Sequence, residues 1–359
     1  MKQNEKKNLE RTPFSRKKQV LLMLLFAAIA VMSIFAVVAQ SRDFSIGEFV
    51  DYIQEASLPW LIVATFSMLG FVIFEALALR VLCNARGEKQ TLWQHITYSA
   101  SDIYFSAITP SATGGQPASA YFMMKDGIGG MQATAILVAN LCMYTLSIVV
   151  ISVISLVFRF DIFLEFSAVS QILVVVGVIL QLGLLVFFFM VLKHEKLLHR
   201  MCSGVLRFLC KLHILRNLEE KEHSLEVYME NYRGQAKMIT EHPKAMVQCF
   251  LLNFVQRASQ IAVTMFVYLA TAGKSIAEAV ELFFRQSYVV MGANCIPVPG
   301  AMGVSDYMML DSFRNIMSES QAVNLELLSR SLSFYSCVFV CGAITLIRFC
   351  STKKRGEKK

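Results

Sequence analysis

The sequence interrupts two apolar, helix-forming regions with short segments rich in proline and glycine: TPSATGGQP at residues 109–117 and IPVPGAMG at residues 296–303. Proline removes a backbone donor and glycine frees the backbone, so an α-helix breaks at both segments. We predict the breaks at Pro110, Pro117 and Pro297. In hydrocarbon, a broken helix is tolerated only where protein or a water-filled cavity surrounds it. Two such interruptions in corresponding halves of a chain are the best sequence pointer to a transport site within a membrane.

The composition of the chain predicts a membrane protein. Hydrophobic residues make up 55% of its 359 residues and charged residues make up 17%, whereas soluble proteins are about 45–50% apolar and about 25% charged. Several apolar stretches reach about 20 residues, the length of helix that crosses a bilayer core of roughly 30 Å. The net charge of +8 comes from basic clusters that flank these stretches. That distribution follows the positive-inside rule and does not indicate nucleic-acid binding.

The order of apolar and charged segments predicts an all-α polytopic protein with six full spans and two re-entrant helical hairpins. Residues 1–19 and 351–359 are basic tails, which places both termini in the cytoplasm. Residues 20–350 form the transmembrane domain, and residues 193–244 are a cytoplasmic insertion whose first part is an interfacial amphipathic helix or an ordinary linker helix. The predicted spans are residues 20–39, 58–82, 132–158, 169–192, 245–272 and 330–349.

Each interruption joins two helical segments that are too short or too polar to be ordinary spans. The first pair covers residues 92–109 and 117–125, and the second pair covers residues 276–295 and 304–317. The topology makes the first hairpin enter and leave by the cytoplasmic face and the second by the outer face. The result is an inverted repeat, with a hairpin between two spans in each half. Internal sequence identity is negligible, so this symmetry rests on topology alone.

The ends of the two hairpins form the candidate binding site. The second helix of each hairpin begins with unsatisfied N–H groups and a partial positive charge, and glycine lets a ligand approach the backbone closely. Such a site suits a phosphate or a carboxylate; alternatively, the glycines only allow tight helix packing. The candidate residues are Thr113, Gly114, Gly115, Gln116, Pro299, Gly300, Gly303 and Asp306.

Charged side chains within the predicted membrane segments form a second group of candidates. A charge at bilayer depth is costly, so these residues should face the protein interior and pair. Arg257 and Arg285 are candidates for binding a phosphate headgroup, because a guanidinium group matches phosphate oxygens. The alternative is that both arginines only neutralise acidic residues. We assign Glu75, Asp102 and Glu281 to structural or gating charges.

The sequence indicates no other chemistry. It contains no His-Glu-x-x-His spacing and no phosphate-binding Gly-x-x-x-x-Gly-Lys-Ser/Thr motif, and no Ser/His/Asp or Cys/His arrangement rises above chance. The nine cysteines lie mostly in apolar stretches, without a Cys-x-x-Cys pair. That distribution is typical of buried thiols. We therefore expect no catalytic residue, no metal and no cofactor.

The two interruptions resemble the signature of the lysylphosphatidylglycerol synthase transmembrane-domain family. Its members are flippase-like and are related to the N-terminal membrane half of the multiple peptide resistance factor. The resemblance is carried by PSATGGQPASAY at residues 110–121 with KDGI at residues 125–128, and by PVPGAMGVSD at residues 297–306. It extends over nearly the whole chain. Ser119 and Asp306 stand where the family often has Gln and Glu, so the acid at residue 306 is kept but its reach is shorter.

This resemblance implies a lipid translocator of a bacterial cytoplasmic membrane. Its substrate would be an anionic or aminoacylated phospholipid such as phosphatidylglycerol or lysyl-phosphatidylglycerol. Aminoacylated lipid lowers the negative charge of the outer surface, so the protein would contribute to resistance to cationic antimicrobial peptides. The expected partners are the phospholipid, the membrane, and a separate synthase or a second copy of the chain.

Two other functions remain open at this point. The chain could be a phosphatidylglycerol lysyltransferase or its membrane subunit, in which case lysyl-tRNA would be a nucleic-acid partner. We expect no enzymatic activity of the chain alone, because it ends nine residues after Cys350 and leaves no room for a soluble synthase domain. It could also be a secondary transporter of a small anion or a polyprenyl phosphate.

Overall fold

A computed structural model describes residues 46–109, 112–193, 241–271, 275–294 and 296–356, with the isolated residues 200, 203, 204, 234 and 237. The described parts of the chain are helical and contain no β-strand, which confirms the all-α prediction. The predicted N-terminal tail and first span, residues 1–39, lie outside the described residues. Pro110, the tail residues 357–359 and most of the insertion at residues 193–244 also lie outside them.

The described helices alternate between long apolar elements and shorter polar ones. In chain order they are α1 (Ile46–Gln54), α2 (Leu58–Ala85), α3 (Leu92–Ile108), α4 (Gly115–Lys125), α5 (Gly130–Phe158), α6 (Phe160–Glu165), α7 (Ala168–Lys193), α8 (Pro243–Thr271), α9 (Ile276–Ala293), α10 (Val304–Phe313), α11 (Glu319–Arg330) and α12 (Cys337–Gly356). A 3₁₀ turn at Pro299–Ala301 precedes α10, and a π-helical turn at Ser331–Ser336 joins α11 to α12.

Five helical stretches in this part of the chain are long and apolar enough to cross a membrane: α2, α5, α7, α8 and the continuous stretch Glu319–Cys350. Four of them match the predicted spans to within a few residues. The last one begins at Glu319, well before the predicted start at residue 330. Its charged residues interrupt the apolar pattern, yet Ser318 starts the helix with a capping box in which Ser318 and Gln321 satisfy each other's backbone N–H groups.

Two segments that were predicted as loops contain short helices. Helix α1 lies within residues 40–57 and α6 within residues 159–168. Tertiary hydrogen bonds hold the first of these segments against the end of α8: Tyr52 Oη lies 2.6 Å from Thr271 Oγ1, and the Ser57 N–H donates to the Ala270 carbonyl at 2.7 Å. Contacts of this kind stabilise a helix that is too short to form alone.

The central pair of spans, α2 and α8, packs through small residues. Ser67 Oγ donates to the Ser259 carbonyl at 2.7 Å, and a Cβ added to Gly70 would lie 3.3 Å from Ser259 Oγ. Small residues let helix backbones approach closely inside a membrane. On its other side α8 contacts α5, where Asn253 Nδ2 donates to Asn140 Oδ1 at 3.0 Å. These contacts make α8 the helix around which the others are arranged.

Helices α3 and α4 fold back on each other, and so do α9 and α10. Tyr98 Oη, near the start of α3, donates to Asp126 Oδ2 just beyond the end of α4 at 2.8 Å. Arg285 Nη1 donates to the carbonyl of Ser312, near the end of α10, at 2.7 Å. With 17 and 11 residues, α3 and α4 are about 26 Å and about 16 Å long, shorter than a bilayer core of roughly 30 Å. The entry of the two hairpins from opposite faces of a membrane stays a prediction.

The positions of the prolines correct one predicted helix break. Helix α4 begins at Gly115, so Pro117 lies inside its first turn and is not a break. The first N–H groups of a helix have no intrahelical acceptor, so proline costs no hydrogen bond there. Pro297 does lie in the bend between α9 and α10. Helix α10 ends at Phe313, earlier than the predicted residue 317.

Candidate functional site

The two interruptions share one backbone feature, although the glycine before each second helix differs, with a φ of −84° at Gly114 and 83° at Gly303. We call residues 109–114 the first break and residues 294–303 the second break. Ala112 and Ala301 both adopt a left-handed φ, at 53° and 51°, a conformation that is uncommon for a residue with a side chain. Each alanine belongs to a Pro-x-Ala-x-Gly sequence, at residues 110–114 and at residues 299–303. This shared pattern is a sequence signal of internal symmetry that topology alone did not reveal.

The glycine amides at both breaks have acceptors within the chain. The Gly114 N–H donates to Thr109 Oγ1 at 2.9 Å, and the Gly303 N–H donates to Asp306 Oδ2 at 2.8 Å. Buried N–H groups at a helix start need acceptors, and nearby side chains supply them here. Both amides have acceptors within the chain, and binding of an external anion by Gly114 and Gly303 stays a prediction.

The start of α4 also has a carboxylate beside it. Gln116 Nε2 donates to Asp102 Oδ2 at 2.8 Å, and Ser106 Oγ donates to Asp102 Oδ1 at 3.2 Å. A Cβ added to Gly115 would lie 2.0 Å from Asp102 Oδ1, so only glycine fits at this position. The partial positive charge of a helix N-terminus stabilises a nearby negative charge. Asp102 thus takes the place that was predicted for a ligand, while Thr113 remains exposed.

Asp102 forms a buried carboxyl pair with Glu75 of α2. The two side chains interact electrostatically, and Asp102 and Glu75 are 7% and 6% exposed. Ser99 Oγ and Gln256 Nε2 donate to Glu75 Oε2 at 3.2 Å and 3.1 Å. Within the described residues, neither carboxyl has a lysine or arginine nitrogen within 4.0 Å. The sequence predicted both acids as candidates but did not predict that they meet.

Arg257 follows Gln256 on α8 and is buried, with 5% exposure. Its guanidinium carbon lies 4.6 Å from the ring centroid of Tyr144 and 5.6 Å from that of Phe71. It donates to Gln260 Oε1, and its Nε has no hydrogen-bond partner in the described part of the chain. No described carboxylate lies within 4.0 Å of it. Arg257 therefore keeps unused donor capacity beside the carboxyl pair.

Arg285 has a different environment, in which internal partners balance its charge. It lies 2.6 Å from Glu281 Oε1 and 2.5 Å from Glu165 Oε2, and it also donates to the carbonyl of Ser312. These contacts tie α9 to α6 and α10. We therefore remove Arg285 from the headgroup candidates, because two carboxylates already occupy its donors. Glu281 takes part in the same network and lies 3.5 Å from Arg159.

The second break is closed by its own ion pair. Asp306 Oδ1 lies 2.8 Å from Arg330 Nε, and the Arg330 guanidinium lies 4.8 Å from the ring centroid of Phe334. A Cβ added to Gly300 would lie 2.1 Å from Phe334 Cζ, which accounts for the glycine. Glu326, 1% exposed, interacts with the same aspartate. Arg330 and Glu326 were not among the predicted site residues, although charges within a stretch long and apolar enough to span a membrane were an available signal.

The second break lies beside α3, the helix that leads into the first break. Helix α3 contacts the 3₁₀ turn Pro299–Ala301, and Asn294 Nδ2 at the second break donates to Gln181 Oε1 at 3.2 Å. Gln181 is near the middle of α7, which is long enough to cross a membrane. The second break is therefore level with the centre of a spanning helix.

Comparisons with known proteins agree with this architecture. The family model described as lysylphosphatidylglycerol synthase TM region matches residues 21–341, which include both breaks. The chain is also similar to a protein of Archaeoglobus fulgidus described as a UPF0104 membrane protein. The two are 19% identical over 301 residues, which cover 82% of this chain and 88% of the relative. The family match and the long apolar helices identify a multi-pass membrane protein.

Proposed function

The chain belongs to the lysylphosphatidylglycerol synthase TM region family, and from this premise we propose that it translocates phospholipid headgroups across a membrane. The headgroup phosphate binds Arg257 inside the protein while the acyl chains stay in the lipid. The substrate is an anionic or aminoacylated phospholipid, such as phosphatidylglycerol or lysyl-phosphatidylglycerol. In a bacterial cytoplasmic membrane, outward movement of the aminoacylated lipid lowers the negative surface charge and weakens the attraction of cationic peptides.

The observation that carries this proposal is the environment of Arg257. The charge of Arg257 interacts with that of Glu75, but a buried charge that no carboxylate contacts is costly, and a ligand can compensate it. Arg257 has no described carboxylate within 4.0 Å and retains an unused Nε donor. A guanidinium group held against aromatic rings is suited to phosphate, because its planar set of donors matches phosphate oxygens.

The two helical hairpins supply the proposed path. In this proposal α3–α4 enters from the cytoplasm and α9–α10 from the outer side, among six spans of which the first lies outside the described residues. Ion pairs hold each hairpin at the end away from its break: Asp126 pairs with Arg348, and Arg285 pairs with Glu165. Opening one of these contacts at a time would give the headgroup access to one face at a time.

Measurement of leaflet exchange tests the role of Arg257. Purified protein is reconstituted with fluorescent phosphatidylglycerol, and exchange is followed by chemical quenching of the outer leaflet. We expect Arg257→Gln to slow exchange at least tenfold, because hydrogen bonds to charged groups contribute about 1.5–3 kcal/mol and about 1.4 kcal/mol is a factor of ten. Arg257→Lys keeps the charge but loses the planar fork, so its exchange rate should lie between those of wild-type protein and Arg257→Gln.

Arg314→Gln is the matched control, because the Arg314 side chain is 64% exposed. It removes an arginine without touching the proposed site, so exchange should be unchanged. Unchanged exchange in folded Arg257→Gln protein would overturn the proposed function. Bulky replacements of Gly114 and Gly115 are poor probes, because added atoms would clash with Thr109 and Asp102.

The same preparation separates the alternative functions. Addition of lysyl-tRNA and phosphatidylglycerol should yield no lysyl-lipid, and synthesis by the purified chain would favour the lysyltransferase. Competition by a polyprenyl phosphate or a small anion, together with uptake of that compound, would favour a secondary transporter. The guanidinium group of Arg257 suits the phosphate of a lipid headgroup and a free anion alike, so these measurements decide between the two.

A further inference from the structure

The buried acids Glu75 and Asp102 receive hydrogen bonds from neutral groups. Ser99 Oγ and Gln256 Nε2 donate to Glu75 Oε2 at 3.2 Å and 3.1 Å, and Asp102 accepts from the side chains of a serine and a glutamine. In the part of the chain that the structure describes, no lysine or arginine nitrogen lies within 4.0 Å of either acid. Neutral donors do not cancel a negative charge, so the two acids are suited to a cation from outside these residues.

The backbone of α3 brings the two acids close together. Ser99, which donates to Glu75, precedes Asp102 by three residues on α3. Residues three apart lie on the same face of a helix, so Asp102 is one helical turn from the contact between α3 and Glu75. A positive group beside one of these acids is therefore attracted by the other as well.

Gln256 has a buried acceptor without a donor. The residue is 1% exposed, its Nε2 contacts Glu75, and Oε1 of the same amide has no hydrogen-bond partner among the described residues. A buried acceptor without a donor costs free energy. An ammonium group has three N–H donors and no acceptor. One ammonium group at this place therefore supplies a donor to Gln256 and a positive charge to Glu75.

Arg257, the next residue of α8, has the opposite requirement. Its Nε is a buried donor for which the described ranges contain no acceptor, and a phosphate group supplies acceptors. Neighbouring residues of α8 thus present an unused donor and an unused acceptor. A single headgroup that carries a phosphate and an ammonium group satisfies both.

The balance of charge at this place favours such a headgroup over a purely anionic one. A negative headgroup at Arg257 is attracted by one guanidinium group and repelled by the two nearby acids. An ammonium group in the same headgroup converts the influence of the acids into attraction. Discrimination of this kind combines an attractive contact to one ligand with repulsion of its competitor.

We propose that Glu75, Asp102 and Gln256 form an ammonium subsite beside Arg257, so that the protein selects phospholipids whose headgroup carries both a phosphate and an amine. This inference rests on the proposed function, in which Arg257 binds the phosphate. The phosphate contact is common to all phospholipids, whereas the ammonium contact distinguishes one headgroup from another. Phosphatidylethanolamine and lysyl-phosphatidylglycerol present both groups, and phosphatidylglycerol presents only the phosphate.

Titration of the purified full chain in detergent with short-chain forms of these three lipids tests the subsite. We expect wild-type protein to bind each amine-bearing lipid at least about tenfold more tightly than phosphatidylglycerol, because each hydrogen bond to a charged group adds to affinity. Glu75→Gln should lose this preference without weaker binding of phosphatidylglycerol, because the variant removes both the attraction and the repulsion. Asp102→Asn should reduce the preference in the same direction.

Two further variants separate the subsite from the phosphate site and from general damage. Arg257→Gln should weaken the binding of all three lipids by a similar factor, because the phosphate is common to them. Glu241→Gln is the matched control, because the Glu241 side chain is 59% exposed and pairs with Lys237. Its preference should equal that of wild-type protein. A variant that is merely misfolded would weaken the binding of all three lipids and would not change their order.

The outcomes distinguish the two proposals. If wild-type protein bound the three lipids equally while Arg257→Gln bound none of them well, the subsite would be overturned and the proposed function would stand. A preference for amine-bearing lipids that persists in both Glu75→Gln and Asp102→Asn would place the ammonium group elsewhere and overturn the inference. Absence of lipid binding by wild-type protein would overturn the proposed function and the inference with it.

Discussion

At the first break Asp102 faces a second carboxyl group, that of Glu75, whereas at the second break Asp306 faces the guanidinium group of Arg330. Each break has an alanine with left-handed φ, followed by a glycine and the start of a short helix. The difference lies in the charge of the side chain that each aspartate faces.

This difference teaches that equivalent breaks can have different tasks. At the second break Arg330 contacts its aspartate directly, although the buried Glu326 adds a second acid there, so this break suits a structural role. The first break combines two acids without a cation within 4.0 Å and a nearby arginine without an acid at that distance, within the described residues. Unbalanced buried charge is costly and marks functional sites in membrane proteins. We therefore place binding at the first break and support at the second.

The largest expected effect comes from breaking the ion pair at the second break. Arg330→Gln leaves Asp306 buried and uncompensated, which should lower the free energy of unfolding by about 3–5 kcal/mol. Thermal unfolding in detergent measures this loss. The double variant Arg330→Gln with Asp306→Asn should recover part of this loss, because the Asp306 charge is removed while the buried Glu326 remains. Asp102→Asn should cost only about 1 kcal/mol, and a larger loss than in Arg330→Gln would contradict the assignment of roles.

An intermediate effect is expected from adding a methyl group to the glycine that begins each second helix. Gly115→Ala places a Cβ 2.0 Å from Asp102 Oδ1 and 2.6 Å from the Asp102 carbonyl oxygen, so overpacking should cost about 1–3 kcal/mol. Gly303→Ala meets no atom within 4 Å but has a φ of +83°, so backbone strain alone should cost about 1–2 kcal/mol.

Gly183→Ala is the control for both glycine variants. A Cβ there meets nothing within 4 Å in the helix α7, and alanine should stabilise the helix by roughly 0.5–1 kcal/mol. Urea titration of the three variants in the same detergent gives the order of their stabilities. If Gly115→Ala were as stable as Gly183→Ala, the close approach of Asp102 to α4 would be wrong.

The smallest expected effect tests what the two breaks share. Ala112→Gly and Ala301→Gly relieve a left-handed alanine, and each should stabilise the protein by up to about 1 kcal/mol after the entropy of glycine is subtracted. Ala120→Gly, inside α4, should instead cost about 0.5–1 kcal/mol. Melting temperatures in detergent measure all three. Destabilisation by both break variants would mean that the two breaks do not have the conformation described.

The elements of the fold were predictable where a local rule applied. Helices α3 and α9 were predicted close to their observed bounds, because polar residues and the following prolines limit them. The start of α11 and the short helices α1 and α6 were not predicted. Each depends on a cap or on contacts with distant helices, such as the bond between Tyr52 and Thr271, and hydropathy does not report these contacts.

The sequence predicted candidate residues for the site but not which of them are in contact. Arg257, Glu75 and Asp102 were selected because charges at bilayer depth are expensive. From the sequence, Arg257 and Arg285 were equal candidates. In the structure two carboxylates contact Arg285, whereas two aromatic rings surround Arg257. The neighbours of a side chain depend on how its helix is rotated about its own axis within the bundle. The spacing of charges along one helix does not predict that rotation.

The sequence by itself determined that this protein is a helical, multi-pass membrane protein with two interrupted segments. The hydrocarbon core of a membrane permits few backbone arrangements. The length of the apolar stretches and the positions of proline and glycine are therefore sufficient to predict the spans and their interruptions. Only the tertiary structure decided that Glu75 meets Asp102, that Asp306 meets Arg330, and that Arg257 has no acid in contact. Charged side chains pair across helices that are distant in the chain, so their partners depend on how the whole bundle packs.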